Sequence, residues 1–153
     1  MNKLIMMFAI GFGLGRSKVM PGTIGCLIGL PIGWLVMQID ALIIQIIINL
    51  FLVFLALFIC ERAEKLIGGK DPQCIVADEY LTLSIVIIGL NSPLFLITGF
   101  IFHRIFDIIK PYPINKLQNL SGGLGVVADD LVASIFAWIC NLILFFIFSS
   151  FGV

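Results

Sequence analysis

The stretch YLTLSIVIIGLNSPLFLITGFIF, residues 80–102, contains no charged side chain and has Asn91-Ser92-Pro93 at its centre. A transmembrane helix needs about 20 consecutive apolar residues, so this stretch is long enough to cross a bilayer. The Asn-Ser-Pro sequence is a strong turn signal, and it favours two half-length helices that enter and leave on the same side. Such a hairpin would have to pack against other helices, because irregular backbone at membrane depth needs shielding by protein. A single crossing is the alternative.

Three further stretches of similar length also lack charge, namely residues 19–39, 41–60 and 131–153. Hydrophobic residues make up 61% of the chain and the mean hydropathy is +1.19, whereas soluble chains are roughly half apolar. The sequence therefore predicts one membrane-embedded all-α domain over residues 1–153. We expect a polytopic helical bundle whose third apolar segment is broken or folded as a hairpin. An unusually apolar soluble bundle is the alternative.

The basic residues are clustered rather than spread along the chain. Cytoplasmic segments of membrane proteins hold Lys and Arg in preference to exported ones, so we expect all the clusters on the cytoplasmic side. A hairpin at residues 80–102 keeps the last cluster there, whereas a single crossing would export it. The clusters are Lys3, Arg16 and Lys18; Arg62, Lys65 and Lys70; and Arg104, Lys110 and Lys116.

Two acidic pairs stand where apolar stretches begin, Asp78-Glu79 before the third and Asp129-Asp130 at the mouth of the last helix. Carboxylates at the edge of hydrocarbon are costly and therefore indicate function. Acidic residues also stabilise helix N-termini, but one per helix would suffice, and the two pairs plus Asp107 exceed that need. Hard oxygen ligands without His or Cys suit Mg²⁺ or Mn²⁺.

Two groups of basic residues are candidates for binding an anion. Arg104, Asp107 and Lys110 follow three-residue steps along one side of a helix, where Arg could contact phosphate in bidentate fashion or simply pair with Asp107. The stretch 11–18, GFGLGRSK, resembles a glycine-rich phosphate loop but matches neither established spacing, and glycine in membrane helices often marks close packing. The candidate anion ligands in and near this stretch are Arg16, Ser17, Lys18 and Thr23.

Several reaction classes can be set aside. The sole histidine, His103, is expected at a polar or interfacial position beside Arg104 at a helix start rather than in a catalytic triad. The four cysteines show no CxxC spacing, and none is followed by Arg at phosphate-loop distance. Metal-assisted attack of water on a phosphate ester remains. An ion or solute transporter and a catalytically inactive scaffold are the alternatives, although a transporter predicts charges on both sides and the outer side has only Asp40.

Four sequence blocks, in this order, resemble the phosphatidylglycerophosphatase A family: GFGLGRSKVMPGTIG (11–25), IVADEY (75–80), HRIFDIIKPYPI (103–114) and GGLGVVADDLVAS (122–134). The resemblance implies a multi-pass enzyme of the bacterial inner membrane with its active site facing the cytoplasm. Such an enzyme uses Mg²⁺ to hydrolyse the terminal phosphate of phosphatidylglycerophosphate, giving phosphatidylglycerol. Two departures are Thr82 and Ser134, which stand where the family has glycine.

The resemblance also implies roles for individual residues. The family's acidic blocks fall on Asp78, Glu79, Asp107, Asp129 and Asp130, and its basic and glycine blocks on Gly13, Pro21, Gly22, Thr23, Arg104, Lys110, Gly122, Gly123 and Gly125. We expect the two acidic pairs to hold one or two Mg²⁺ ions, with Asp107 as a ligand or base and water as the nucleophile. Phosphate charge would be neutralised by Arg16, Lys18, Arg104 and Lys110. The expected partners are the phospholipid substrate and the bilayer, with no nucleic acid; the oligomeric state stays open.

Overall fold

A computed structural model describes residues 2–69, 72–117 and 119–150, and these ranges are helical with connecting turns. The predictions made for Lys70 and for residues 151–153 lie outside the described residues. The helices are α1 (Asn2–Ala9), α2 (Pro21–Met37), α3 (Leu42–Ile67), α4 (Ala77–Thr82), α5 (Pro93–Ile109), α6 (Ile114–Leu117) and α7 (Gly123–Ser150), with 3₁₀ helices at Gly11–Arg16 and Leu83–Ile87.

Helices α3 and α7 are long and apolar enough to cross a membrane, with 26 and 28 residues respectively. In the most apolar part of each helix, 22% of the residues are buried inside the protein. Most of their apolar side chains, such as Phe54 and Phe146, therefore face outward. A large outward apolar surface is typical of proteins that contact a membrane or another protein. The predicted all-α class is confirmed, and the two long helices support association with a membrane.

The third apolar segment consists of two helical elements on either side of residues 88–92. Helix α4 continues as the 3₁₀ helix to Ile87, and α5 begins at Pro93, where the Ser92 hydroxyl accepts a hydrogen bond from the Leu94 N–H. The connection lies beside the α2–α3 turn, since Asn91 and Asp40 line one cavity. Helix α5 has 17 residues, as many as α2, so it is longer than the half-length helix expected there.

Polar side chains of α3 hydrogen-bond to this connection and to the 3₁₀ helix before it. Gln45 Oε1 accepts from the Gly89 N–H at 2.8 Å, while Gln45 Nε2 donates to the Ile39 carbonyl at 2.7 Å. Asn49 Oδ1 accepts from the Ser84 hydroxyl at 2.8 Å. Both amide side chains are buried. They provide the partners that irregular backbone requires in an apolar surrounding.

Helix α7 supports the same segment from the other side. Asn141 Nδ2 donates to the Val86 carbonyl at 2.9 Å and to the Phe95 carbonyl at 2.7 Å, so one amide joins the two halves of the segment. The indole N–H of Trp138 donates to the Ile88 carbonyl at 2.8 Å. Three carbonyls and one amide N–H at the interruption are therefore paired with side chains.

Two glycines let α2 approach α4 closely. A Cβ atom at Gly25 would lie 2.6 Å from Val76 Cβ, and one at Gly29 would lie 2.9 Å from the Tyr80 carbonyl oxygen. Real Cβ atoms do not occur at such distances, so any larger residue would push α2 outward. This close packing holds the first turn of α2 against the acidic end of α4, where the candidate site lies.

Candidate active site

A cavity of about 360 Å³ opens where α4, α5 and α7 meet the first turn of α2. The sequence-predicted carboxylates come from three separate helices, and all of them line this cavity. Two of the predicted cations line it as well, so carboxylates and positively charged side chains share one cavity. These residues are Asp78, Glu79, Asp107, Asp129 and Asp130 together with Arg104 and Lys110.

The two acidic pairs occupy different positions in their helices. Asp78 and Glu79 lie in the first turn of α4, as predicted. Asp129 and Asp130 do not begin α7, which starts at Gly123, so the prediction that they stand at a helix mouth is wrong. An N-terminal capping role therefore does not account for the second pair, because helix-dipole effects fade within the first turn.

The start of α7 is held instead by a residue of α3. A carboxylate oxygen of Glu61 accepts from the Gly123 N–H at 2.5 Å. Gly122 has a positive φ of 70°, a conformation that favours glycine, and it turns the chain into the helix. The glycine-rich stretch before Asp129 thus adds almost two helical turns ahead of the acidic pair, which carries the pair into the cavity.

Two cations cross-link the carboxylates. Arg104 Nη1 lies 2.9 Å from Asp107 Oδ2 and 3.6 Å from Glu79 Oε2, so it joins α5 to α4. Lys110 Nζ lies 2.6 Å from Asp129 Oδ2 and 3.7 Å from Asp107 Oδ1, so it joins the end of α5 to α7. The intrahelical Arg104–Asp107 pair exists, but both cations also reach a carboxylate on another helix.

The surroundings of Lys110 favour its charged form. Burial lowers the pKa of this ammonium, but the hydrogen bond and charge of Asp129 and the charge of Asp107 outweigh it, so the pKa is raised above its usual value. Lys110 therefore stays protonated at neutral pH and is available to an anion. Its position just after the end of α5 leaves its side chain half-buried at the rim of the cavity.

Several polar atoms around the cavity are buried without a hydrogen-bond partner among the described residues. They include Asp130 Oδ1, Arg104 Nε and Thr23 Oγ1. Orphaned polar atoms are rare in native proteins because each costs roughly 1–3 kcal/mol. Ordered water or a polar ligand in the cavity would supply the missing partners.

The fit to a divalent cation is partial. No three His, Cys, Asp or Glu side chains within the described ranges already form a metal-binding group. Mg²⁺ seldom uses a complete protein cage, however, and is commonly held by one or two carboxylates with waters and phosphate oxygens. Asp130, whose buried Oδ1 is orphaned, and its neighbours offer hard oxygen atoms of that kind. The residues present therefore fit a Mg²⁺ ion shared with a phosphate better than a preformed metal cage.

Three of the other predicted anion ligands, Arg16, Ser17 and Lys18, do not line this cavity. Arg16 lines a separate cavity with Lys3 and Leu66. The Ser17 hydroxyl is engaged within its own turn, 3.0 Å from the Val19 carbonyl, and Lys18 is exposed. Thr23 lies in the first turn of α2, next to residues that line the carboxylate cavity.

Two residues at the site were not anticipated from the sequence. Cys26 is fully buried, with Sγ 3.4 Å from Glu79 Oε2 and 3.7 Å from Arg104 Nη1. It lies one turn after Gly22, which lines the cavity, so helical spacing from the Pro-Gly-Thr block was the available signal. His103 is also fully buried, and the interfacial position predicted for it is wrong, because α5 begins ten residues earlier and turns His103 inward.

Comparisons with known proteins identify related sequences. The family model described as Phosphatidylglycerophosphatase A matches residues 7–145. Phosphatidylglycerophosphatase A of Escherichia coli is 33% identical over 132 residues, covering 84% of this chain and 76% of the relative. Phosphatidylglycerophosphatase A of Haemophilus influenzae is 32% identical over 136 residues, covering 87% and 83% respectively.

A third relative has a different name. The putative phosphatidylinositol-3-phosphatase of Bacteroides thetaiotaomicron is 29% identical over 150 residues, covering 89% of this chain and 90% of the relative. No solved structure matches the chain significantly. The matched region contains every carboxylate and both cations of the cavity.

Proposed function

The chain belongs to the phosphatidylglycerophosphatase A family, and we propose that its carboxylate-lined cavity hydrolyses the terminal phosphomonoester of phosphatidylglycerophosphate to phosphatidylglycerol and phosphate. The observation that carries the proposal is that both acidic pairs share one cavity with Arg104 and Lys110. Cations bind the phosphate and carboxylates bind a metal, which together are the groups that phosphoryl transfer requires.

The proposed setting is the inner membrane of a bacterium, with several helices crossing it and the cavity at the cytoplasmic edge. Arg62 and Lys65 end α3 on the side where Glu61 meets the start of α7, which is the end that holds the cavity. Asp40 lies at the opposite end, beside Asn91. Positive charge concentrated at one end supports a cytoplasmic orientation for that end. There the cavity would meet the phosphate of a lipid whose acyl chains stay in the bilayer.

The proposed cofactor is Mg²⁺, held by oxygens of Asp78, Glu79, Asp129 and Asp130, with Asp107 as a further ligand or as the base. A bound Mg²⁺ would neutralise phosphate charge and lower the pKa of water. The protein's own cations complement it: Arg104 and Lys110 now pair with Asp107 and Asp129, and a doubly charged phosphate would compete for both. Release of Asp107 from these pairs would leave its carboxylate free to take the proton of the attacking water.

The test is phosphate release by the purified chain from phosphatidylglycerophosphate in mixed micelles, with Mg²⁺ and with a chelator. We expect release with Mg²⁺ and its loss on chelation, restored by added Mg²⁺. Folded protein that releases no phosphate with Mg²⁺ would reject the proposed activity. Release that is unchanged by chelation would reject the proposed cofactor while leaving the activity intact.

A second candidate substrate is suggested by the name of the Bacteroides relative. Phosphatidylinositol 3-phosphate is also a phosphomonoester on a lipid head group, and the cations of the cavity would contact its phosphate in the same way. Assaying both lipids side by side, with phosphatidic acid as a third, separates the two. We expect phosphatidylglycerophosphate to have the highest kcat/KM because it is the substrate that the family name and two relatives indicate.

The transporter alternative is not favoured. The charged side chains gather at one end, and the polar side chains near the other end are hydrogen-bonded to backbone groups rather than facing a pathway. Ion flux through liposomes that contain the chain would test it, and we expect no flux above that of empty liposomes.

A further inference from the structure

We propose that His103 and Ser134 form a hydrogen-bonded brace behind Asp130, with His103 orienting the Asp130 carboxylate. Both are positioning residues, since neither lines the cavity. The inference deepens the proposed function and rests on it for the role of Asp130.

The brace is defined by two distances in a fully buried position. His103 Nδ1 lies 3.1 Å from the Ser134 hydroxyl, and His103 Nε2 lies 3.7 Å from Asp130 Oδ1. His103 and Ser134 have no exposed surface. The imidazole of α5 thus stands between two residues that lie one turn apart on α7, and Asp130 alone of the three lines the cavity.

Asp130 Oδ1 and His103 Nε2, which lie 3.7 Å apart, can pair as acceptor and donor. Neither Asp130 Oδ1 nor His103 Nε2 has another hydrogen-bond partner in the part of the chain that the structure describes. The separation is longer than a hydrogen bond. Hydrogen bonds around catalytic groups are often long before a ligand binds and tighten in the complex. A sub-ångström approach would satisfy both orphaned atoms at once.

The arrangement favours one tautomer. If the Ser134 hydroxyl donates to Nδ1, then Nε2 carries the hydrogen and directs it at the carboxylate. In the opposite tautomer Nδ1 would donate to Ser134, and the Nε2 lone pair would face the lone pairs of Asp130 Oδ1 in a dry interior. When Asp130 is ionised, facing lone pairs repel strongly in a low local dielectric, so the Nε2–H form is the favoured one for the carboxylate state that would hold a metal.

Ser134 contacts Nδ1, whereas Asp130 faces the other ring nitrogen, Nε2, so Ser134 acts on the carboxylate only through His103. Groups that hold a ligating carboxylate from behind typically change metal affinity or activity by about 10- to 100-fold when they are removed.

The first test uses the fact that His103 is the only histidine. In ¹⁵N-histidine-labelled protein in micelles, two imidazole nitrogen signals report one residue without ambiguity. We expect the neutral Nε2–H tautomer, with the Nδ1 signal shifted by Ser134→Ala and the Nε2 signal shifted by Asp130→Asn. An Nδ1–H tautomer, an imidazolium, or signals indifferent to both substitutions would overturn the brace. This measurement needs no activity, so it stands even if the proposed function fails.

The second test is kinetic. We expect His103→Phe, which fills the space without hydrogen bonds, to lower kcat about tenfold and to raise the Mg²⁺ concentration for half-maximal activity, with KM for the lipid unchanged. His103→Gln, which can still donate towards Asp130, should recover much of that loss. Ser134→Ala should lower kcat less than His103→Phe does. The double variant should have a kcat close to that of His103→Phe alone.

The matched control for Ser134→Ala is Ser84→Ala, the same change at a buried serine that bonds Asn49 far from the cavity. We expect Ser84→Ala to leave kcat and the Mg²⁺ dependence of the folded protein unchanged. Equal effects of the two serine variants on kcat, or full activity of His103→Phe, would contradict the brace. A wild-type chain inactive on every lipid would instead count against the proposed function.

Discussion

The carboxylate cavity and the interruption at residues 88–92 are two regions where this apolar chain buries polar side chains. At the interruption, four side chains from α3 and α7 have partners: Gln45, Asn49, Trp138 and Asn141 all hydrogen-bond to backbone or to a serine or threonine. Around the cavity, Asp130 Oδ1, Arg104 Nε and Thr23 Oγ1 have no hydrogen-bond partner in the described ranges. Both regions place polar atoms in apolar surroundings. We call the interruption closed, because these side chains are hydrogen-bonded within the protein, and the cavity open, because some of its polar atoms are not.

The difference separates a structural role from a functional one. Closed polar groups hold a chain segment whose helix is interrupted, and they leave nothing for a ligand to bind. Polar groups that are buried without a partner lower the stability of the fold, and a protein retains them where a bound ligand offsets that loss. Substitutions should therefore have opposite signatures in the two regions: loss of activity with retained stability at the cavity, and loss of stability with retained activity at the interruption.

The largest expected effect is at the cavity. Asp130→Asn keeps the shape of the side chain but removes the charge, and we expect at least about a hundredfold loss of kcat, the size of a lost catalytic electrostatic contact. Thermal unfolding in micelles should shift little or upward, because a buried carboxylate with an orphaned oxygen is lost. The control is Asp40→Asn, an exposed acid at the other end, for which we expect wild-type kcat.

At the interruption, Asn141→Leu should lower the free energy of unfolding by about 2 kcal/mol, because the Val86 and Phe95 carbonyls lose their donor. Denaturation in mixed micelles measures this loss. We expect the activity of the folded fraction to stay within about twofold of wild type, since the effect is on stability. The same change at exposed Asn115 is the control, and a matching loss of stability there would contradict the closed role of Asn141.

A smaller effect is expected from Arg104→Lys, which keeps the charge but loses the planar guanidinium, whose Nη1 lies near both Glu79 and Asp107. We expect KM for the lipid to rise roughly tenfold, since Lys offers a point charge where Arg offers two parallel donors. Arg62→Lys is the matched control, because the Arg62 guanidinium lies over the Phe58 ring at the end of α3. Unchanged KM in Arg104→Lys would remove Arg104 from the proposed phosphate contacts.

The smallest expected effect is that of Gln45→Leu. It removes one acceptor from the Gly89 N–H and one donor from the Ile39 carbonyl, and should cost about 1 kcal/mol of unfolding free energy. Comparing the denaturation midpoints of Gln45→Leu and Asn141→Leu shows which of the two side chains contributes more to stability. A larger loss for Gln45→Leu would reverse the ranking, which rests on Asn141 joining both halves of the segment.

The helical class and the residues of the cavity could be predicted from the sequence for local reasons. Charge-free stretches indicate apolar helices, and Asp78-Glu79 next to such a stretch stands out because burying charge is expensive. Arg104 follows from its spacing with Asp107 along one helix face. Lys110 lies just after the end of α5 in a left-handed conformation, so the predicted helical spacing does not account for its position. The positions of Arg16 and Ser17 could not be predicted in this way, since the path of a glycine-rich turn depends on packing that the sequence does not display.

The buried position of His103 and the start of α7 were not predicted, for a related reason. His103 looked interfacial because it adjoins Arg104, but α5 begins at Pro93, and that start decides which face is buried. The start of α7 ahead of Asp129 was not predicted, because Glu61 of α3, far away in the sequence, accepts the hydrogen bond from the Gly123 N–H that holds the first turn. Both errors concern contacts between helices, which are set by packing rather than by local propensity.

The most direct test of the account compares Asp130→Asn and Asn141→Leu in one phosphate-release assay on phosphatidylglycerophosphate with Mg²⁺, normalised to folded protein. We predict that Asp130→Asn is folded and nearly inactive, while Asn141→Leu is less stable but close to wild type in activity per folded molecule. An active Asp130→Asn, or an inactive but fully folded Asn141→Leu, would contradict the claim that the open cavity holds the phosphatase chemistry.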